Sequence, residues 1–177
     1  MSQRHILLLT GLPGVGKTTA VRRVVERLAP WRLSGFITEE IRGPSGRREG
    51  FRAVTFDDER RLIAHVDFPG PERVGKYGVD VRAIDELAAA LTGGGEPDAW
   101  VIDEIGKMEC LSQGFVTAMR GLFDAPAPVL ATVARRGRGL IAEVRNRRDA
   151  ELWELTRDNR ERLPAAAARW LAARRRH

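Results

Sequence analysis

Residues Gly11-Leu12-Pro13-Gly14-Val15-Gly16-Lys17-Thr18 fit the pattern G-x-x-x-x-G-K-[S/T], and their flanks narrow the fold more than any other stretch. Before them, Ile6–Thr10 is a short apolar run stopped by a glycine, the pattern of a buried parallel strand. After them, Val21, Val24, Val25 and Leu28 recur at i, i+3, i+4 and i+7, while Arg22, Arg23 and Arg27 fall on other faces. That spacing predicts an amphipathic helix from near Lys17 to just before Pro30. A strand, a glycine loop and a helix start in this order form an anion site. The glycines let backbone N–H groups converge, and the helix adds the positive end of its dipole. Gly11 to Thr19 would then cradle a phosphate chain, with Lys17 reaching the β- and γ-phosphates and the Thr18 hydroxyl placed to coordinate Mg²⁺.

Such a loop needs an acid at the same sheet edge. Trp100-Val101-Ile102-Asp103-Glu104 supplies one, an apolar strand that ends in two carboxylates at the carboxyl edge of a parallel sheet. Asp103 suits the metal-associated role, directly or through water, and Glu104 can orient or deprotonate an attacking water. Lys107 and Glu109 follow, either as a second layer that positions Glu104 or as an ion pair at a helix start. Thr132 closes the next apolar run, where it either senses the γ-phosphate or caps a turn.

The rest of the chain alternates. Strands are expected at Gly35–Arg42, Phe51–Phe56 and Arg61–Val66, joined by Gly43-Pro44-Ser45-Gly46 and Asp57-Asp58 turns, as an antiparallel extension. Pro69-Gly70-Pro71 opens a loop. Helices are expected at Ala83–Leu91, Phe115–Phe123, Leu140–Arg145 and Ala165–Arg176, and strands at Trp100–Asp103, Val129–Thr132 and Leu152–Leu155. The closing helix would carry Arg174–Arg176 at its C-terminal dipole. This is an α/β pattern with a mostly parallel central sheet, an antiparallel extension and helices on both faces. With 177 residues and no linker or repeat, a single domain over 1–177 is expected, large enough to bury a core without disulfides.

Composition excludes several classes. No apolar stretch approaches the ~20 residues of a membrane span, and Ile6–Leu9 is shorter than the ~7–15 residues of a signal-peptide core, so a cytoplasmic protein is expected. The single cysteine, Cys110, excludes an internal disulfide and suits a small buried hydrophobe. His5, His65 and His177 show no metal-ligand spacing, so any metal arrives with the substrate. The net charge of +6 permits a nucleic-acid partner, but the arginines are spread along the chain rather than gathered. Among 30 basic residues only Lys17, Lys76 and Lys107 are lysine, and each follows a glycine. An ammonium where the background favours arginine suggests a need for a compact charge.

The segments GLPGVGKTT (11–19), GFITEEIR (35–42), VGKYGVDV (74–81), VIDEIGKMEC (101–110) and TRDNRERL (156–163) together resemble the THEP1-type nucleoside-triphosphatases, the family that includes the cancer-related NTPase. They span nearly the whole chain in order, and all three lysines fall within them. The resemblance implies a RecA-like P-loop NTPase fold, Mg²⁺-dependent hydrolysis of ATP, GTP, CTP and other nucleoside triphosphates with little base selectivity, and Glu104 as catalytic base. It also implies that Glu40, Arg42, Lys76 and Tyr77 lie near the nucleotide, and that Asn159 and Arg160 contact its base. Arg135, Arg136 and Arg138 are the arginines topology brings nearest the phosphates; none stands out, so slow turnover is expected. Two other readings stay open: a phosphotransferase acting on a nucleoside or polynucleotide 5′ end, and a nucleotide-gated nucleic-acid-binding switch. A monomer is favoured, although the sequence leaves the oligomeric state open.

Overall fold

The computed structural model describes residues 4–175. One nine-stranded sheet runs through it, in the order β5-β6-β4-β3-β2-β7-β8-β1-β9. Five strands are mutually parallel: β2 (Leu33–Arg42), β7 (Ala99–Ile105), β8 (Val129–Val133), β1 (Ile6–Thr10) and β9 (Ala150–Glu154). On the β2 edge, β3 (Arg48–Thr55), β4 (Arg60–His65), β6 (Tyr77–Val79) and β5 (Arg73–Val74) add on antiparallel.

Every residue of β1 is buried, as a strand covered on both faces requires. Its side chains alternate between two cores. Ile6 and Leu8 pack with β7, β8 and the helices α2 (Val81–Thr92), α3 (Gln113–Asp124) and α4 (Leu140–Arg145). Leu7 and Leu9 pack on the opposite face against α1 (Lys17–Leu28) and α5 (Leu163–Ala172). Asp80 and Ser112 cap α2 and α3 by accepting from the N–H groups of Ala83 and Phe115, 3.0 and 2.8 Å away. No helix among the described residues is long and apolar enough to cross a membrane.

The expected elements are present with shifted ends, and four expectations need correction. The stretch after Pro71, expected as a loop, holds the short β5–β6 hairpin, whose two- and three-residue strands are too brief for a periodic signal. The last strand is Ala150–Glu154 rather than Leu152–Leu155, because it pairs from Ile6↔Ala150 onward. The closing helix starts earlier, at Leu163, with Pro164 in its first turn, and ends at Ala172. Arg174 does reach the Trp170 carbonyl at its C-terminal end, while Arg176 and His177 lie outside the described residues. Cys110 is only partly buried against the core, and burial pushes its thiol up to about 12, which leaves it unreactive.

Close approach between β2 and β7 rests on Gly35. Its φ is +124°, and a Cβ there would sit 1.8 Å from the Val101 carbonyl oxygen. Gly46, in the β2–β3 turn, also has positive φ, +76°, but faces open space. We therefore expect Gly35→Ala to cost roughly 3 kcal/mol or more and Gly46→Ala only about 1–2 kcal/mol. Thermal unfolding checks this: equal shifts in melting temperature for the two variants would contradict it.

Candidate functional site

The loop between β1 and α1 and the acidic end of β7 lie at the same edge of the sheet, with β8 between their strands. Gly16 is the residue that turns the loop into the helix, with φ +105°, which only glycine adopts without strain. No side chain caps α1, and its first turn carries no acid, so its free N–H groups and dipole remain available to an anion. Lys17 folds back over the loop, its Nζ donating to the Gly11 carbonyl at 3.2 Å.

Thr18, in the first turn of α1, meets Asp103 across the gap: its Oγ1 donates to Asp103 Oδ2 at 2.8 Å. Thr132 Oγ1 donates to the other carboxylate oxygen at 2.7 Å. Thr38, on β2, adds its backbone N–H at 3.4 Å, and its hydroxyl donates to the Asp103 carbonyl. Asp103 is only 1% exposed. Burial pushes its carboxyl above the usual range, against the pull of the Thr132 and Thr18 hydroxyls. Burial likewise raises Glu104, opposed by the Lys17 charge.

Glu109 sits in the 3₁₀ turn Glu109–Leu111 and is fully enclosed. It accepts from the Gly106 N–H at 3.2 Å. Burial, reinforced by the nearby Glu104 and Asp103 charges, lifts it to about 8, which favours its protonated form around neutral pH. The alternative of a Lys107–Glu109 ion pair is not formed: Lys107 is exposed, while Glu109 turns inward under Gly106.

Two spaces flank the loop. One, of about 200 Å³, is bounded by Gly16, Thr19, Arg23 and Arg160. The other, of about 450 Å³, is bounded by Pro13, Thr38, Tyr77, Glu104, Lys107 and Glu109, among others. The structure thus brings together the loop, Asp103, Glu104, Tyr77, Lys107 and Glu109, with Thr132 touching Asp103 from behind. Glu40, Arg42, Lys76 and Asn159 line neither space. Glu40 pairs with Arg42 and Arg48 on the exposed end of β2. Lys76 donates to the Arg48 carbonyl and lies 5.3 Å from the Tyr77 ring. The Asn159 amide shapes the turn after β9, accepting from Thr156 N–H and donating to the Glu154 carbonyl. Of the three arginines after β8, Arg135 leans on Glu154 at 3.8 Å.

Sequence reasoning missed Thr38, Arg48, Phe51 and Arg145. Thr38 lies within the GFITEEIR segment, where its alternation with inward-facing Ile37 was the available signal. Arg145, on α4, donates to the Ala134 carbonyl and reaches toward Thr10 Oγ1, 3.3 and 3.5 Å away. No local pattern marked it, since the contact joins residues far apart in the chain.

The oxygen donors of Thr18 and Asp103 suit a hard divalent cation. Among the described residues no cluster of three His, Cys, Asp or Glu side chains could hold a metal unaided. Such a cation would need phosphate oxygens to complete its shell.

A family model described as NTPase matches residues 6–168. The nucleoside-triphosphatase THEP1 of Thermotoga sp. (strain RQ2) is 38% identical over 89% of this chain and 90% of its own length. The human cancer-related nucleoside-triphosphatase is 37% identical over 90% of this chain and 92% of its own. Among solved structures, THEP1 from Aquifex aeolicus superposes with a TM-score of 0.82 at 36% identity, covering 94% of this chain and 98% of that one. The human protein's solution structure gives 0.80 at 36% identity, covering 98% and 100%. Loop, acid strand, mixed sheet and flanking helices are those of a P-loop NTPase α/β fold, and the chain belongs to the NTPase family that THEP1 and the cancer-related nucleoside-triphosphatase represent.

Proposed function

We propose that this chain is a slow Mg²⁺-dependent nucleoside-triphosphatase that releases the γ-phosphate of ATP, GTP, CTP and related nucleotides with little regard for the base. The observation that carries this reading is the Thr18–Asp103 contact, which ties the helix start of the phosphate loop to the acid strand across an intervening strand. The printed names of the relatives support it.

The loop N–H groups from Gly14 to Thr18 bind the phosphate oxygens, and Lys17 swings from the loop carbonyls to the β- and γ-phosphates. Thr18 and Asp103 would hold the Mg²⁺, which would supply positive charge against that developing on the phosphates. Asp103 stays in register because Thr132 and Thr38 grip it from two other strands. Glu104 faces the larger space, accepts the proton of the attacking water and orients its oxygen. Glu109 beside it favours its protonated form, which keeps a third negative charge from joining Asp103 and Glu104. Gly16, Thr19 and Arg160 border the space into which the nucleoside would extend. Backbone contacts read phosphates and ignore the base, which accounts for broad selectivity.

Three outcomes follow. Glu104→Ala should lower kcat for phosphate release by about 10²–10⁴-fold while nucleotide binding survives. Steady-state release from ATP, GTP and CTP checks this, and wild-type turnover above roughly 10 s⁻¹ would contradict the slow enzyme expected without an arginine finger. Thr132→Val keeps shape but removes one donor from Asp103, so activity or Mg²⁺ affinity should fall about 10–100-fold. A Mg²⁺ titration of turnover in both proteins measures it.

The third outcome concerns Glu109. The folded chain keeps its proton up to about pH 8, whereas the unfolded chain releases it near 4.5. Its contribution to stability is therefore full below pH 4.5, declines as the pH rises to about 8, and is level above that. Glu109→Gln removes this dependence and should gain about 2–4 kcal/mol on wild type between pH 5 and 8.5. Denaturant unfolding at several pH values tests it, and parallel pH profiles for the two proteins would rule it out.

A further inference from the structure

The space beside Glu104, about 450 Å³, starts at Pro13, Thr38 and Glu104 beside the phosphate loop and extends well past the acid pair. Its outer wall comes from the antiparallel extension: Arg48 and Phe51 on β3, Val74 on β5, and Tyr77 on β6. Phe51 and Tyr77 meet edge to face with centroids 5.1 Å apart. The Arg48 guanidinium lies 5.5 Å from the Phe51 ring centroid; one terminal nitrogen pairs with Glu40 at 2.7 Å, while its Nε is buried with no hydrogen-bond partner and is the edge left for an anion. Lys107, on the same rim, pairs with no carboxylate among the described residues. Rings, cations and a base thus line one cavity.

Direction matters as much as lining. On the reading above, Lys17 and Asp103 would hold the γ end of the triphosphate next to Glu104, and the nucleoside would run the other way, toward the smaller space bordered by Thr19 and Arg160. In-line displacement requires the incoming oxygen to approach opposite the leaving one. Glu104 opens onto the larger cavity, so that approach is assigned to it.

We propose that this cavity is an acceptor subsite for a nucleoside 3′-phosphate bearing a free 5′-hydroxyl, either as a mononucleotide or as the 5′ end of a strand. The proposal rests on the site reading given above. The base packs against Phe51 and Tyr77, the 3′-phosphate meets Arg48 and Lys107, and the 5′-hydroxyl faces Glu104. In the transfer, the hydroxyl gives its proton to the Glu104 carboxylate and its oxygen bonds to Pγ. The bond from Pγ to the β–γ bridging oxygen breaks, and that oxygen leaves with the electron pair on the nucleoside diphosphate. Water completes the same displacement when the subsite is empty, so hydrolysis is the slow default of a transferase geometry.

The test uses the full chain, Mg²⁺ and ATP labelled at the γ-phosphate, with three additions: none, adenosine or thymidine 3′-monophosphate, and a 5′-hydroxyl trinucleotide. Labelled 5′-phosphate should appear on an acceptor and exceed its share of free phosphate as acceptor concentration rises. Label on the mononucleotide identifies a small-molecule acceptor; label on the trinucleotide alone identifies a strand end. Phe51→Leu and Tyr77→Leu should each raise the acceptor KM about tenfold, as loss of base stacking does, and lower the ratio of labelled acceptor to free phosphate at a fixed acceptor concentration. Melting temperatures near wild type exclude unfolding as the cause. Phosphate release that proceeds with no labelled acceptor at any concentration overturns the subsite and leaves the hydrolase standing. Labelled acceptor made equally well by both variants overturns the assignment of the walls. Transfer without hydrolysis in the absence of acceptor overturns the hydrolase reading and leaves the subsite standing.

Discussion

A carboxylate taken almost wholly out of water must be surrounded by donors, and Asp103 draws its donors from three separate elements. Thr18 brings the start of α1, Thr132 the end of β8, and Thr38 the middle of β2. Leaving any one of these groups unmatched in a dry site costs on the order of 1–3 kcal/mol or more. The carboxyl ends of the strands are thereby held level, and the phosphate loop acquires a fixed distance from the acid pair. Glu104, one residue on, is positioned because its neighbour cannot move. Glu109 is enclosed on the far side of Gly106, where its raised affinity for a proton keeps a third negative charge out of the cluster.

Outside this cluster the electrostatics are of another kind. Arginines pair across the surface, as in Arg22 and Arg52 with Glu39, Arg120 with Glu143, and Arg147 with Asp124 and Asp149. The exposed pairs among them, such as Arg120 with Glu143, contribute little to stability each, about 0–1 kcal/mol, but they tie neighbouring elements at fixed contact points, whereas Arg147 and Asp149 are mostly buried. None of the three lysines joins such a pair among the described residues. Lys17 and Lys76 donate to backbone carbonyls, and Lys107 stands at the rim of the cavity. The division suggests why lysine persists at these positions: the planar guanidinium suits carboxylate forks, the compact ammonium suits a single oxygen.

Much of this was legible in the residues because its signals are local. The loop, its flanking strand and helix, and the Asp-Glu pair at the end of an apolar run are each written within a few consecutive positions. Helices with a clear 3.6-residue repeat were placed to within two or three residues of their ends. What stayed hidden depends on contacts between distant residues. The β5–β6 hairpin is too short for a pattern, yet it supplies Tyr77 and Val74 to the cavity. Glu109 has a polar side chain beside a lysine, the pattern of a surface pair, and only the three-dimensional turn shows it facing inward. Arg145 meets Thr10 across 135 residues. The resemblance to a family implied that Glu40 and Arg42 lie near the nucleotide; the fold pairs them at the end of β2, where Glu40 also meets Arg48 on the cavity wall.

The antiparallel extension is attached to the parallel sheet through β2 alone. The phosphate loop, Asp103, Glu104 and Thr132 lie on the other side of that seam, on β1, α1, β7 and β8. A hairpin on the outer side can therefore lengthen, shorten or change its side chains without disturbing the loop or its acid. Such an arrangement separates two evolutionary problems. The bond-breaking apparatus can stay frozen while the annex beside it is rebuilt for a different guest.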